Sequence, residues 1–206
     1  MKKVAVLIGI LLIPGAFYLF LRFFGENRFD VPLYFDGSAP CGEGLQGQYH
    51  RVPHFSFMVN GGTLGSDSGS HAVAVYDMCL SAPPLDSRSH LRHSGQIHDA
   101  FAEEQSVLIY SLYPASAISS MEDALRVAGD YRSDSKIWSF GYAEDAAWKD
   151  FALCGLGIGA SDPDGGEIYH ALVLVDSKRR VRGFYRMGDQ DETDRLIMEA
   201  KIVLRE

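Results

Sequence analysis

The chain has 206 residues, 47% of them apolar and 22% charged, an ordinary globular composition with room for one well-buried domain and an appendage. Its formal net charge is −8, and because Lys2, Lys3 and Arg22 are the charged side chains before position 25, residues 25–206 carry −11. So acidic a body repels phosphate backbones, and no basic stripe offsets it, which argues against nucleic-acid binding.

Val4–Phe24 reads VAVLIGILLIPGAFYLFLRFF, 21 residues without an acidic group and with one basic group, Arg22. As a helix such a run spans about 31 Å, against a hydrocarbon thickness of about 30 Å. A cleaved signal peptide would have an apolar region of about 7 to 15 residues ending at a small-residue site. Here the bulky FYLFLRFF follows the small pair Gly15-Ala16, so an uncleaved transmembrane helix is predicted. Arg22 reaches the interface by snorkelling. Lys2, Lys3 and the terminal amine precede the span, and Arg22 and Arg28 follow; this bias places the N-terminus inside and the globular part on the periplasmic or other extracytoplasmic side. The predicted organisation is an anchor over 1–24 (membrane through residues 4–24), a tether over 25–50 with scattered Gly, Pro, Asp and Asn, and a folded domain over 51–206.

From His54 the pattern becomes regular. HFSFMV alternates as a strand, and HAVAVYD from His71 is a short apolar strand ending just before Cys79. SVLIYSLYP from Ser106 and KIWSF from Lys136 are two more, with helices between them over roughly 87–104, 119–131 and 143–154. Ser119 and Glu122 have the capping-box spacing that starts the second helix. ALVLV at 171–175 is a continuous apolar run suited to a strand covered on both faces, and DSKRR turns it into VRGFYR as a hairpin. Asp189 and Glu192 repeat the capping-box spacing, and Leu196, Ile197, Ala200, Val203 and Leu204 form one apolar helix face. Alternating elements in this order predict an α/β domain with a mostly parallel central sheet, helices on both sides and an antiparallel edge from the terminal hairpin. A thioredoxin-like fold, with a mixed sheet flanked by helices, fits.

HRVPHFSFMVNGG (50–62) resembles the opening of the Sco/SenC proteins, membrane-anchored thioredoxin-like copper-handling factors for cytochrome c oxidase assembly. LVLVDSKRRVRGFYRMGDQDETDRLIMEAKIVL (172–204) resembles their end, and FGENRFDVPLYF (24–35) is similar to the segment after their anchor. The resemblance implies a carrier or assembly factor rather than an enzyme, with copper as cargo and a protein partner such as an oxidase subunit or another copper carrier. It also implies a CxxxCP motif after a strand and one distal histidine. On CLSAPP the motif matches Cys79 and Pro84 but places Pro83 where the second cysteine belongs, and the histidine maps to His170. The implied metal site is Cys79 with His170, one sulfur and one nitrogen. Soft sulfur donors suit Cu(I), but the set is incomplete, so two alternatives stay open: a degenerate partner-binding protein without metal or redox chemistry, and a single-thiol redox protein.

Three cysteines, Cys41, Cys79 and Cys154, are an odd number with no CxxC pair, which argues against a disulfide-stapled scaffold. Cys154 shares the helix face of Trp148 and Phe151 and is expected in the core; Cys41 in the tether is undetermined. Met78 precedes Cys79, and strand alternation sends the two to opposite faces, so it is not counted as a ligand. Arg88, nine positions after Cys79, is the nearest basic residue along the chain, which gives little local support for a peroxidatic thiolate. His90 and His93 lie one helical turn apart with His98 off their edge, more in keeping with a solvated helix face than with a metal cluster. GLGIGA from Gly155 follows a helix rather than a strand, so it is no dinucleotide loop. SDPDGGE at 161–167 misses the calcium-loop spacing and reads as a loop beside His170.

Overall fold

The computed structural model describes residues 12–15, 17–19, 30–42, 48–59, 62–65, 73–79, 88–104, 106–117, 136–159 and 170–206. The chain divides into two units, Met1–Asp30 and Val31–Glu206. In the first, residues 12–15 and 17–19 are helical. Most of the expected anchor lies outside the described residues, among which no helix is long and apolar enough to cross a membrane.

The second unit carries β1 (Ser56–Val59), β2 (Gly62–Gly65), β3 (Val73–Cys79), α1 (Arg88–Phe101), β4 (Val107–Pro114), β5 (Trp138–Ala143), α2 (Asp145–Asp150), β6 (His170–Val175), β7 (Val181–Arg186) and α3 (Gln190–Val203). A wider helical turn, Phe151–Gly155, continues α2. The strands form one sheet in the order β2-β1-β5-β4-β3-β6-β7. Only β3–β4 and β4–β5 are parallel; the pairs β1–β2, β1–β5, β3–β6 and β6–β7 are antiparallel. The mostly parallel sheet expected from element order is therefore a parallel centre with antiparallel flanks. β2 carries no apolar signal in GTLG, so the sequence does not announce it. The helix expected over 119–131 and the loop at 161–167 lie outside the described residues.

Strand alternation builds two cores, one on each face. Val73, Val75, Val107, Ile109, Leu172 and Leu174 face one cluster with Ile97 and Phe101 of α1 and Leu196, Ala200 and Val203 of α3. Ala74, Tyr76, Met78, Tyr110, Leu112, Val173 and Val175 face the other, with Trp148, Phe151 and Leu156. β6 is buried on both faces, as its continuous apolar run requires. On β1, Phe57 is buried while Ser56 and Met58 are exposed, and Phe55 just before the strand is buried as well, the expected period of two. α3 starts at Asp189, whose carboxylate accepts from the Asp191 amide at 3.0 Å. Glu192 does not close the expected capping box; it accepts from the Arg186 amide at 3.3 Å and from Arg195 at 3.0 Å.

The tether expected over 25–50 is, where described from Val31 onward, part of the folded unit. Val31 is buried, the Tyr34 amide donates to Val181 O at 3.1 Å and the Val52 amide to Arg179 O at 2.8 Å. Arg182, 2% exposed, makes this attachment. Its guanidinium donates to Pro32 O at 3.2 Å, Val31 O at 2.8 Å and Asp176 Oδ2 at 3.4 Å. It also pairs with both oxygens of Glu206, at 2.6 and 2.9 Å. Burial opposes the charge, but Glu206 and Asp176 outweigh it and hold the guanidinium above its ordinary value. Asp176 in turn organises the hairpin: its Oδ1 accepts from the Lys178 and Arg180 amides, both at 2.9 Å, and Arg179 takes a left-handed φ of 63°.

Cys154 is not a core residue but is joined to Cys41 by a disulfide, with Cα atoms 5.0 Å apart. The glycine run explains itself here. Gly157 has φ +76°, and a Cβ on it would overlap the Phe35 ring and press on Pro40, while His50 Nε2 donates to Gly155 O at 2.8 Å. Gly155–Gly157 is the seat of the N-terminal arm.

Two stability changes follow. Arg182→Met leaves the Val31 and Pro32 carbonyls without their donor and Asp176 with Arg180 as its remaining guanidinium, and is expected to cost about 1 to 3 kcal/mol in denaturant unfolding; a loss under about 0.5 kcal/mol, as for an exposed pair, would contradict the clamp. Gly157→Ala is expected to cost roughly 1 to 3 kcal/mol through the left-handed backbone alone, with heightened proteolysis of the 31–50 arm; unchanged cleavage there would show that the ring contact is immaterial.

Candidate functional site

The centre of interest is the end of β3, where Cys79 is the last residue of the strand. β3 pairs with β4 as far as Met78↔Leu112 and with β6 one position further, at Cys79↔His170. The two residues that the family resemblance singles out, 91 positions apart in sequence, are thus direct register partners on neighbouring antiparallel strands. Opposed residues in such a pair have Cβ atoms about 4.5 to 5.5 Å apart. Positions 80–87, including Pro83 and Pro84, lie outside the described residues. Met78 is fully buried in the second core, in keeping with its exclusion as a ligand.

Two residues upstream the strand carries a group that sequence reading passed over. Asp77 is 2% exposed. Its Oδ2 accepts the hydroxyls of Ser94 on α1 and Ser111 on β4, each at 2.8 Å, and Ser111 Oγ accepts the Trp138 indole N–H at 3.0 Å. The register explains Ser111, which is the β4 partner of Asp77. A carboxylate needs such donors when water is removed, so β3, β4, β5 and α1 are tied by one polar relay inside an apolar layer. The available signal was an acidic residue interrupting an otherwise apolar strand, AVAVYDMCL.

His93 and His98 of α1 do not form the solvated face expected for them. His93 and His98 are buried, 9% and 6% exposed. His93 Nδ1 lies 2.9 Å from Thr193 Oγ1, and the Thr193 hydroxyl spends its one proton on Asp189 O at 2.9 Å. His93 therefore donates from Nδ1, which sets its tautomer and ties α1 to the start of α3. His98 packs its ring at 5.8 Å from that of Trp138 and sits 3.2 Å from Asp99 Oδ1. Among the described residues no group of three or more His, Cys, Asp or Glu side chains is placed to hold a metal ion.

With this geometry in place, the comparisons with known proteins can be set against it. The sequence matches no protein-family model and no curated protein. Among solved structures the chain is similar to BsSco, described as a member of the Sco family of cytochrome c oxidase assembly proteins with a disulfide switch: TM-score 0.60, 18% identity, 76% of this chain and 95% of that one. It is also similar to a SCO1/SenC family lipoprotein from Bacillus anthracis str. Ames, at TM-score 0.58 and 15% identity over 74% of this chain and 94% of that one. A third likeness is to the thioredoxin domain of a thiol-disulfide oxidoreductase from Bacteroides vulgatus, at TM-score 0.53 and 15% identity over 75% and 96%. The shared fold is thioredoxin-like, and Sco proteins stand among its neighbours, as the sequence resemblance anticipated.

The relay can be tested on its own. Asp77→Ala strands two hydroxyl donors and is expected to cost about 1 to 3 kcal/mol for each left buried and unpaired. Denaturant unfolding of Asp77→Ala, Ser111→Ala and the double variant is expected to give a coupling of about 0.5 to 3 kcal/mol; additive losses would show that the two groups do not act as a pair.

Proposed function

We propose that the protein is a Sco/SenC-like accessory factor in copper delivery or cytochrome c oxidase assembly, in which Cys79 and His170 hold Cu(I) or dock the partner that carries it. The observation that carries this reading is the Cys79↔His170 register pair at the C-terminal end of β3, the edge where open sheets with a parallel centre gather ligands. The Cys41–Cys154 bond supports it by elimination: of the three cysteines, it leaves Cys79 outside. Thiolate and imidazole suit a soft monovalent ion. Pro83 stands where a second thiol would complete the set, so a low coordination number favours transfer over storage, with the receiving protein supplying the further donor. The apolar side chains of Leu12, Ile13, Phe17, Tyr18 and Leu19, all more than half exposed on the N-terminal helical residues, support membrane attachment of the domain on the extracytoplasmic side.

The same Pro83 favours a second reading, a partner-binding protein that has given up metal and redox chemistry. The two are separated by anaerobic Cu(I) titration of the full chain in detergent against a competing chelator. The copper reading expects one ion per chain and at least a tenfold loss of affinity in both Cys79→Ser and His170→Ala, the scale on which a lost ligand contact is felt. Absence of binding, or binding indifferent to both changes, leaves the partner reading standing.

A further inference from the structure

The Cys41–Cys154 disulfide has its own architecture. Cys41 is exposed and Cys154 half-buried. Cys154 borders a cleft of about 310 Å³ whose walls include Pro53, Phe55, Phe57, Ala147 and Phe151. The arm that bears Cys41 is closed at its base independently of the bond. Asp36 and Tyr49 form an antiparallel bridge, the Gly37 amide donates to Gln48 O and the His50 amide to Phe35 O, both at 3.2 Å. Outside that base, Tyr34 and Val52 are hydrogen-bonded to Val181 and Arg179, and Val31–Pro32 are held by Arg182. The disulfide therefore pins one arm against the Gly155–Gly157 seat without being needed to attach the segment.

We infer that Cys41–Cys154 is a second thiol-reactive site, an exchangeable clip opened by an external dithiol, distinct from the Cys79–His170 centre. Access decides which sulfur is attacked, and Cys41 is the exposed one. A thiolate of the dithiol attacks Cys41 Sγ, the Cys41–Cys154 bond breaks, and Cys154 leaves as a thiolate beside the cleft. The dithiol's second thiolate then attacks its own sulfur in the mixed disulfide, expelling Cys41. The dithiol ends as a disulfide, having given two electrons to the protein's bond and its two protons to Cys41 and Cys154. Reduction lifts the Cys41 end of the arm, with Pro40, from Gly157, while the rest of the domain stays folded because its attachments do not pass through sulfur.

The test uses the full chain in detergent, with dithiothreitol as the dithiol, thiol alkylation to read which cysteines open, and amide hydrogen exchange to read the consequence. Cys41 and Cys154 are expected to become alkylated together under native conditions. Exchange should rise about tenfold or more at Leu156 and Ile158, the amides of the seat, while the Gly37, Tyr34 and Val52 amides and the β3–β6 amides keep their protection, the mark of a local opening. The double variant Cys41→Ser, Cys154→Ser should show the same pattern without reductant. A bond that resists dithiol until the whole domain unfolds, a reduced chain with unchanged exchange, or a double variant that fails to fold would each overturn the clip, since each makes the bond either inert or a global staple.

Discussion

The antiparallel pairing of β3 with β6 is the constraint on which the rest of the site depends. β3 is hydrogen-bonded on both sides, parallel to β4 over Val73–Met78 and antiparallel to β6 over Ala74–Cys79. A slip of one residue would send Val75 and Leu174 out of one core and Tyr76 and Val173 out of the other. The apolar packing of two faces therefore sets the register, and the register in turn brings positions 79 and 170 opposite one another. No side chain at the strand end needs to supply that alignment. The juxtaposition of these two positions is therefore indifferent to which side chains they carry, because it is maintained by residues further along the strands.

The same logic extends to the polar groups inside the sheet layer. Asp77 and Arg182 are both about 2% exposed, and each would be costly alone. Asp77 is answered by hydroxyls from a helix and a neighbouring strand, Arg182 by two carboxylates and two carbonyls. They act at different distances from the site. Asp77 stiffens β3 immediately upstream of Cys79, whereas Arg182 joins the N-terminal arm, the β6–β7 turn and the chain end into one rim. Tyr185 adds a third tie, its hydroxyl donating to Glu199 at 2.5 Å, with burial and that carboxylate pushing its phenol well above the ordinary range.

How much of this was legible in the sequence depended on whether a signal was local. Period-two and continuous apolar runs located β1, β3, β4, β5, β6 and β7, since burial on one or both faces leaves its trace residue by residue. β2 was invisible because GTLG has no apolar alternation and owes its conformation to pairing with β1. The orientation of β6 against β3 was equally unreadable, as strand direction is a property of the connection and not of the strand. The Cys41–Cys154 bond escaped for a related reason: a helical wheel places Cys154 beside Trp148 and Phe151, but the helix widens over Phe151–Gly155, which breaks the wheel's phase where the cysteine stands. His93 and His98 looked solvent-facing because α1 is polar overall, and only the arrival of Thr193 and Trp138 from elsewhere in the chain makes that polarity an interior feature.

The pairing of Cys41 with Cys154 bears on Cys79 as well. In a chain whose cysteines were all free, Cys79 would compete with two other sulfurs for any soft ion or oxidant, and a single-sulfur centre would have little selectivity. Pairing Cys41 with Cys154 removes both from that competition, because a disulfide sulfur is a far poorer metal donor than a thiolate. The consequence runs in the other direction as well. Opening the bond would present two further thiols, so the redox condition of the arm determines how many sulfur donors the chain offers in total. With Cys79 outside the pair, the chain has two donor states set by a single bond, and in both the arm stays attached through Arg182 and backbone hydrogen bonds rather than through sulfur alone.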